Sequence, residues 1–199
     1  MMYRLLILFL YNQVKTNRNW SIIMNRSRLH RYTIYILLIL CGISVSSCRS
    51  KRNVSRNEKI IRELTIHKGE MKGDRNHRMI VDEAMTWVGT PYAYAKNDKG
   101  EGTDCSGMVM TVYEDVMGKK LPRNSAKQAE FCKSLDPDEV EIGDLVFFAT
   151  GKDPDRISHV GIMIDEVNFV HASTKKGVVV SRIDTPYYIR TFKMFGRVP

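Results

Sequence analysis

Cysteine is scarce in this chain of 199 residues, found only at positions 41, 48, 105 and 132. So few thiols make no disulfide framework. A single Cys105–Cys132 bridge in an oxidising compartment remains open, and it would consume Cys105. No C-x2-C or H-x3-H pair occurs, so the spacing that marks most structural zinc sites is missing. Long apolar runs are missing too. The stretch from Tyr32 to Val45 has 14 residues, short of the roughly 20 that span a bilayer as a helix. Acidic residues are absent from residues 1–47, which hold six Lys or Arg. No internal repeat is apparent, which removes solenoids and propellers.

The overall formal charge is +9, but it is unevenly placed. Residues 48–79 carry ten basic and four acidic groups, whereas residues 80–199 carry fifteen basic and eighteen acidic ones. The prospective folded part is therefore mildly acidic. Nucleic acid, which demands a basic face on the folded domain, is excluded as a partner. A basic leader beside anionic headgroups fits the distribution better.

Residues 24–48 have the layout of an export signal. Arg26, Arg28 and Arg31 precede the apolar run, and Ser46 and Ser47 follow it. A short anchor or buried helix is the alternative reading of the same run. Val45-Ser46-Ser47-Cys48 resembles a bacterial lipobox. The resemblance implies that Cys48 is diacylated and heads the mature chain in a lipid bilayer, where two acyl chains give firm attachment. Ser50 stands where an Asp would retain such proteins in the inner membrane, so the expected address is the outer membrane, facing the periplasm. A second apolar stretch, Leu5–Tyr11, precedes this signal, which makes Met24 the expected start of translation.

The expected division is a signal region over 1–47, a lipidated and charged tether over 48–78, and one domain over 79–199. The tether has few large apolar groups, with one short helix over Glu58–Thr65. In the domain, Ile80, Ala84, Trp87 and Val88 recur at helical spacing. A second helix opens at Cys105, capped by Thr103 or Asp104 and closed by Gly118. A third runs from Ser125 to Cys132. Short β-rich runs follow at 145–148, 159–164, 168–172, 178–181 and 192–198. Helices first and strands later predict an α+β domain, its N-terminal helices packed on an antiparallel β-sheet.

Cys105 is the sharpest chemical candidate. At a helix start, free amides and peptide dipoles favour a thiolate and can receive a developing oxyanion. Against this stands simple packing on the stripe of Val109, Val112 and Val116. His159 begins an apolar strand, and imidazole is the natural base for a thiol. His171, 12 residues on, reaches the same neighbourhood if a hairpin through Asp165-Glu166-Val167 pairs the two strands. One ring then fixes the tautomer of the other. The rival use of Cys105, His159 and His171 is as three ligands of a zinc ion. His67 and His77 are expected to be exposed in the tether, and Cys132 to be a packed thiol.

Four blocks, Thr103-Asp104-Cys105-Ser106-Gly107, Gly143-Asp144-Leu145-Val146-Phe147-Phe148, Ser158-His159-Val160-Gly161-Ile162 and Val170-His171-Ala172-Ser173, resemble the NlpC/P60 family in order and spacing. Trp87 to Tyr92 and Leu121-Pro122-Arg123 support them. The resemblance spans about Ile80 to Val198. It implies a papain-like fold and cysteine-dependent cleavage of an amide in diaminopimelate-containing peptidoglycan stem peptides, at γ-D-glutamyl–diaminopimelate or at the D-alanyl–diaminopimelate cross-link. It makes Cys105 the nucleophile, His159 the base and His171 the third member. Tyr92 is assigned to the oxyanion site, with Tyr94 the weaker choice; Asp104 and Ser106 are further candidates on the oxyanion and substrate side. No metal or cofactor and a monomeric state are expected. The family usually has a glycine pair where this chain has Ala95-Lys96, so the loop beside the nucleophile is expected to run differently. A catalytically silent peptidoglycan-binding module, and a thioester-dependent acyltransferase or amidase, are the alternative functions.

Overall fold

The computed structural model describes Tyr35, residues 51–65 and residues 71–199. Apart from Tyr35, the signal region lies outside the described residues, as do Cys48 and His67. Within the body formed by Lys51–Pro199, residues 51–65 are helical (α1) and Arg75–Met85 forms α2. A small ladder pairs β1 (Asn97–Asp98) with β2 (Gly102–Thr103). Helices α3 (Cys105–Met117) and α4 (Ser125–Phe131) follow. The strands are β3 (Lys133–Leu135), β4 (Leu145–Phe148), β5 (His159–Met163), β6 (Asn168–Ser173) and β7 (Gly177–Arg182). Helix α5 (Pro186–Thr191) leads directly into β8 (Phe192–Arg197). The main sheet has the order β3-β8-β4-β5-β6-β7, and every pair in it is antiparallel. This is the α+β architecture expected, helices on an antiparallel sheet.

The period-two alternation of strands builds two cores from one sheet. Leu145, Phe147, Val160, Ile162, Val170 and Ala172 face a core shared with Ile80, Ala84 and Trp87 from around α2 and Met108, Val109 and Val112 from α3. The intervening residues Val146, Phe148, Met163 and Phe169 face a second core with Ile183, Phe192 and Phe195. That explains why Leu145-Val146-Phe147-Phe148 is apolar without alternation: both faces are covered.

The second core also takes Ile61 and Leu64 of α1, 2% and 3% exposed. Asn57 donates from Nδ2 to the Ile189 carbonyl (2.8 Å) and the Phe192 carbonyl (3.0 Å). So the charged segment 51–65 contributes two core side chains and pins the end of α5. His77, expected in solvent, instead sits at the third position of α2, where its Nδ1 lies 3.4 Å from the Asp74 amide and 3.4 Å from Glu141. The side chain is 18% exposed.

Local chemistry fixes the helix that matters most. Asp104, extended at φ −104° and ψ 175°, caps α3 by accepting from the Gly107 amide. Gly118 ends the helix in the left-handed region at φ 63°, as the sequence predicts.

Candidate active site

Cys105 is the first residue of α3, and β5 runs past it. The backbone amides of Val160, Ser106 and Cys105 itself lie where they favour the sulfur's anion. His159 is the residue next to Val160, so the head of β5 and the head of α3 meet at the thiol. The expectation that the helix start leaves this sulfur as a ready thiolate is corrected here. Burial is the largest influence and the Asp104 carboxylate the next; both raise the thiol, and the amides only partly oppose them, leaving it at about 11. Charge next to the cap residue and loss of water outweigh the helix dipole at this position.

The two imidazoles meet. His159 Nε2 lies 2.8 Å from His171 Nδ1, with the ring planes nearly perpendicular. His171 Nε2 in turn lies 2.9 Å from Ser181 Oγ and 3.1 Å from the Tyr188 hydroxyl. The pair rests on an aromatic floor: His171 stacks on Phe169 at 4.9 Å, and His159 lies across the β4–β5 ladder from Phe148. Gly161 permits the close approach of β6. A Cβ there would meet the Phe169 ring at 2.6 Å and the Val170 carbonyl at 3.0 Å.

Burial pushes His159 down to about 4, and burial together with the neighbouring His159 charge pushes His171 down to about 3. Both rings are therefore neutral near pH 7. The unfolded chain binds a proton at each below its ordinary value of 6.5, while the folded protein does not until about 4 at His159 and about 3 at His171. Stability is thus fully present above pH 6.5 and declines as pH falls from 6.5 towards 3. Thermal unfolding followed across that window should show a falling midpoint, with a shallower slope in His171→Gln; an unchanged slope in that variant would remove the buried imidazole as the cause.

Around the thiol lies a polar knot that reading the sequence did not find. The Asp104 carboxylate accepts from Arg123 Nη1 (2.7 Å) and Nη2 (2.8 Å), the Gly107 amide (2.9 Å), the Ala95 amide (2.8 Å) and the Ser106 hydroxyl (3.1 Å). Burial opposes its ionisation, but the Arg123 bonds and the two amides prevail, and its pKa lies below 3.8. Arg123 also donates to the Lys96 carbonyl at 2.9 Å. A Cβ on Gly107 would sit 2.5 Å from that carbonyl, which is why the position after Ser106 carries no side chain. Buried Gln128 donates to the Ser106 and Pro122 carbonyls. Asp104 and Ser106 thus spend their polar atoms on this knot. Tyr92 is half-buried beside it, its hydroxyl pKa raised first by burial and then by the charges of Cys105 and Asp104. Tyr94 is 85% exposed.

Ala95 adopts φ 61°. The loop therefore takes a left-handed turn that glycine favours, although the chain supplies alanine, and the Ala95 amide needs that turn to reach Asp104. A left-handed L-residue costs about 1–2 kcal/mol, partly offset because glycine loses more freedom on folding. Ala95→Gly is expected to stabilise by about 0.5–1 kcal/mol in urea unfolding; a destabilised variant would show that this turn carries no strain.

Cys105 and Cys132 are free thiols. Burial, then Asp144, pushes Cys132 up to about 12, consistent with a packed thiol. Among the described residues, no group of three or more His, Cys, Asp or Glu side chains is arranged to hold a metal ion.

Comparison with known proteins agrees with this geometry. A model of the NlpC/P60 family matches residues 89–197. The chain is 32% identical over 164 residues to the probable endopeptidase NlpC of Escherichia coli K12, covering 82% of this chain and 99% of that one. It is 37% identical over 119 residues to the murein DD-endopeptidase MepS/murein LD-carboxypeptidase of the same strain, covering 60% and 61% respectively. A crystal structure of an NlpC/P60 family protein from Bacillus cereus superposes with a TM-score of 0.57 at 27% identity. The match covers 64% of this chain and 41% of that one, so this chain spans less than half of that structure's length. With the family's segments folded around one thiol and two linked imidazoles, the chain belongs to the NlpC/P60 family of cell-envelope peptidoglycan hydrolases.

Proposed function

We propose that the protein is a cysteine endopeptidase that hydrolyses an amide bond in diaminopimelate-containing stem peptides, with Cys105 as nucleophile, His159 as base and His171 as orienter. The observation that carries the reading is the His159–His171–Ser181 hydrogen-bond chain at the head of β5, next to the Val160 amide that favours the Cys105 anion. For His159 to accept a proton at Nδ1, its Nε2–H must donate to His171 Nδ1. His171 then carries its own proton on Nε2, where the Ser181 hydroxyl oxygen accepts it. Ser181 and Tyr188 thus set a tautomer two residues removed from the reacting atom.

With the thiol near 11 and the base near 4, the resting pair is neutral, and proton transfer accompanies attack rather than preceding it. Sulfur bonds to the carbonyl carbon, and the thiol proton passes to His159. The oxyanion is received by the helix-start amides, with the Tyr92 hydroxyl beside them. The C–N bond then breaks as His159 protonates the leaving amine. Water resolves the thioester, giving its proton back through His159 and restoring the thiol. Asp104 and Ser106 act by holding this frame through Arg123.

The DD-endopeptidase name of one relative supports the D-alanyl–diaminopimelate cross-link as the bond cut. Mass spectrometry of products from a defined cross-linked muropeptide tests this. Two uncross-linked monomers are expected. A fragment ending in γ-D-glutamate would move the cut to the other bond, and products lacking the elements of water would replace hydrolysis by acyl transfer. The reading also includes an acyl anchor at Cys48 in the outer membrane, facing the periplasm. Cys48→Ser should release the protein into the soluble fraction of the envelope; continued membrane retention would refute the anchor.

A further inference from the structure

We infer that the cleft on the far side of the imidazole pair is a carboxylate-binding subsite for the leaving half of the substrate, with Lys175 as its cation. The inference rests on the endopeptidase reading above and names the chemistry that reading leaves open. The cleft has a volume of about 300 Å³ and is walled by His159 and His171, by Tyr187 and Tyr188 of α5, and by Lys175 in the β6–β7 turn. Thr150, Ser173 and Thr174 complete it. Of the described residues lining it, none is acidic, and Lys175 alone carries a fixed charge.

Charged groups near the catalytic elements are mostly committed. Arg123 is held by Asp104, Arg182 by Asp184 and Lys193 by Asp155. Arg190 lies over the Tyr187 ring at 5.9 Å. No carboxylate among the described residues pairs with Lys175. The turn that carries it is firmly placed: β6 and β7 pair without interruption from Asn168↔Arg182 to Ser173↔Gly177, and the Val178 amide donates to the Thr90 carbonyl at 2.8 Å. An unpaired ammonium on a fixed hairpin, facing a polar cleft with no competing anion, is placed to take an anionic group from outside.

Which half of the substrate enters follows from proton transfer. His159 has to reach the leaving nitrogen to protonate it, so that nitrogen lies against the imidazole. The chain beyond it then runs into the space that the imidazole borders, away from the helix-start amides that hold the acyl carbonyl. A leaving residue of the diaminopimelate type carries its amine and a carboxylate on the same carbon. Such a carboxylate falls within reach of the cleft, with the hydroxyls of Ser173 and Thr174 as further donors and the Tyr187 ring, 46% exposed, as an apolar wall for its methylene chain.

The test uses the full-length protein with Cys105→Ala to prevent turnover, and calorimetric titration with a stem-peptide dimer joined by a D-alanyl–meso-diaminopimelate cross-link. The carboxylate on the carbon that bears the cross-linked amine is either free or amidated. The free form is expected to bind about fivefold more tightly than the amide, the range of a partly exposed ion pair. That preference should vanish when Lys175→Gln is added and persist when Lys176→Gln is added instead. Rising salt should narrow it. Equal binding of the two peptides, or a preference that survives Lys175→Gln, overturns the subsite and leaves the endopeptidase reading intact. Binding of neither peptide to the folded protein overturns both.

Discussion

Cys105→Ala is expected to lower muropeptide hydrolysis by at least about 10⁴-fold, the loss seen when a covalent nucleophile is removed from a working unit. The fold should survive the change. Cys105 is only partly buried and packs against the first core, and alanine is a strong helix former at the head of α3. The sulfur is also a poor anion here, so no buried charge is left without a partner. Far-ultraviolet circular dichroism and an unfolding midpoint within a few degrees of the parent should accompany the lost activity. Turnover retained in a folded Cys105→Ala protein would end the assignment of this residue.

The second large effect is expected from Arg123. Among the described residues its guanidinium is the only cation on the Asp104 carboxylate, whose side chain is 8% exposed, and it ties together the Ala95–Lys96 loop, the cap of α3 and the connector before α4. Arg123→Met keeps much of the volume and removes the charge. Asp104 then retains the Gly107 and Ala95 amides but no counter-ion. Loss of one member of a buried pair costs about 3–5 kcal/mol; with Arg123 36% exposed, about 2–3 kcal/mol is the expected loss in urea unfolding. The sign of the pH response follows. The Asp104 carboxyl, held below 3.8, contributes stability that is present above about pH 4 and lost as pH falls through its lowered value. The variant should therefore be less stable than the parent at pH 7 and approach it in stronger acid. On the proposed mechanism, kcat should fall more than KM rises, since the knot holds the amides assigned to the oxyanion. A variant equal to the parent in stability at pH 7 would show that Arg123 is a surface residue with no hold on the site.

Much of this molecule was legible from local pattern. Asp104 as the cap of α3, Gly118 as its end, and the strands of His159, Asn168 and Phe192 all follow from spacing and turn chemistry that act over a few residues. The pairing of His159 with His171 was legible as well, because a short hairpin and a period of two leave few alternatives. Other features needed distant parts of the chain. Arg123 reads as part of an extended connector until the chain closes 19 residues back onto Asp104. Ser181 is an ordinary outward-facing serine of a strand until β7 pairs with β6 and brings it to His171. Helix α5 is six residues long and bears Tyr188 with no periodic signal of its own. Residues 51–65 read as solvated because their charge dominates, and only the sheet's second face shows why Ile61 and Leu64 are apolar. The ionisation of the thiol is illegible for a related reason: a helix start is visible in sequence, but the burial that desolvates Cys105 is not.

The raised thiol has a consequence for durability. Peroxides and disulfides attack the thiolate, not the neutral thiol. At about 11, Cys105 exposes roughly one molecule in 10⁴ as the anion at pH 7, against about one in 30 for an ordinary cysteine. An ionisation this rare makes the resting thiol a poor target for oxidants. The desolvation that keeps Cys105 protonated is thus also what shelters it from oxidative attack.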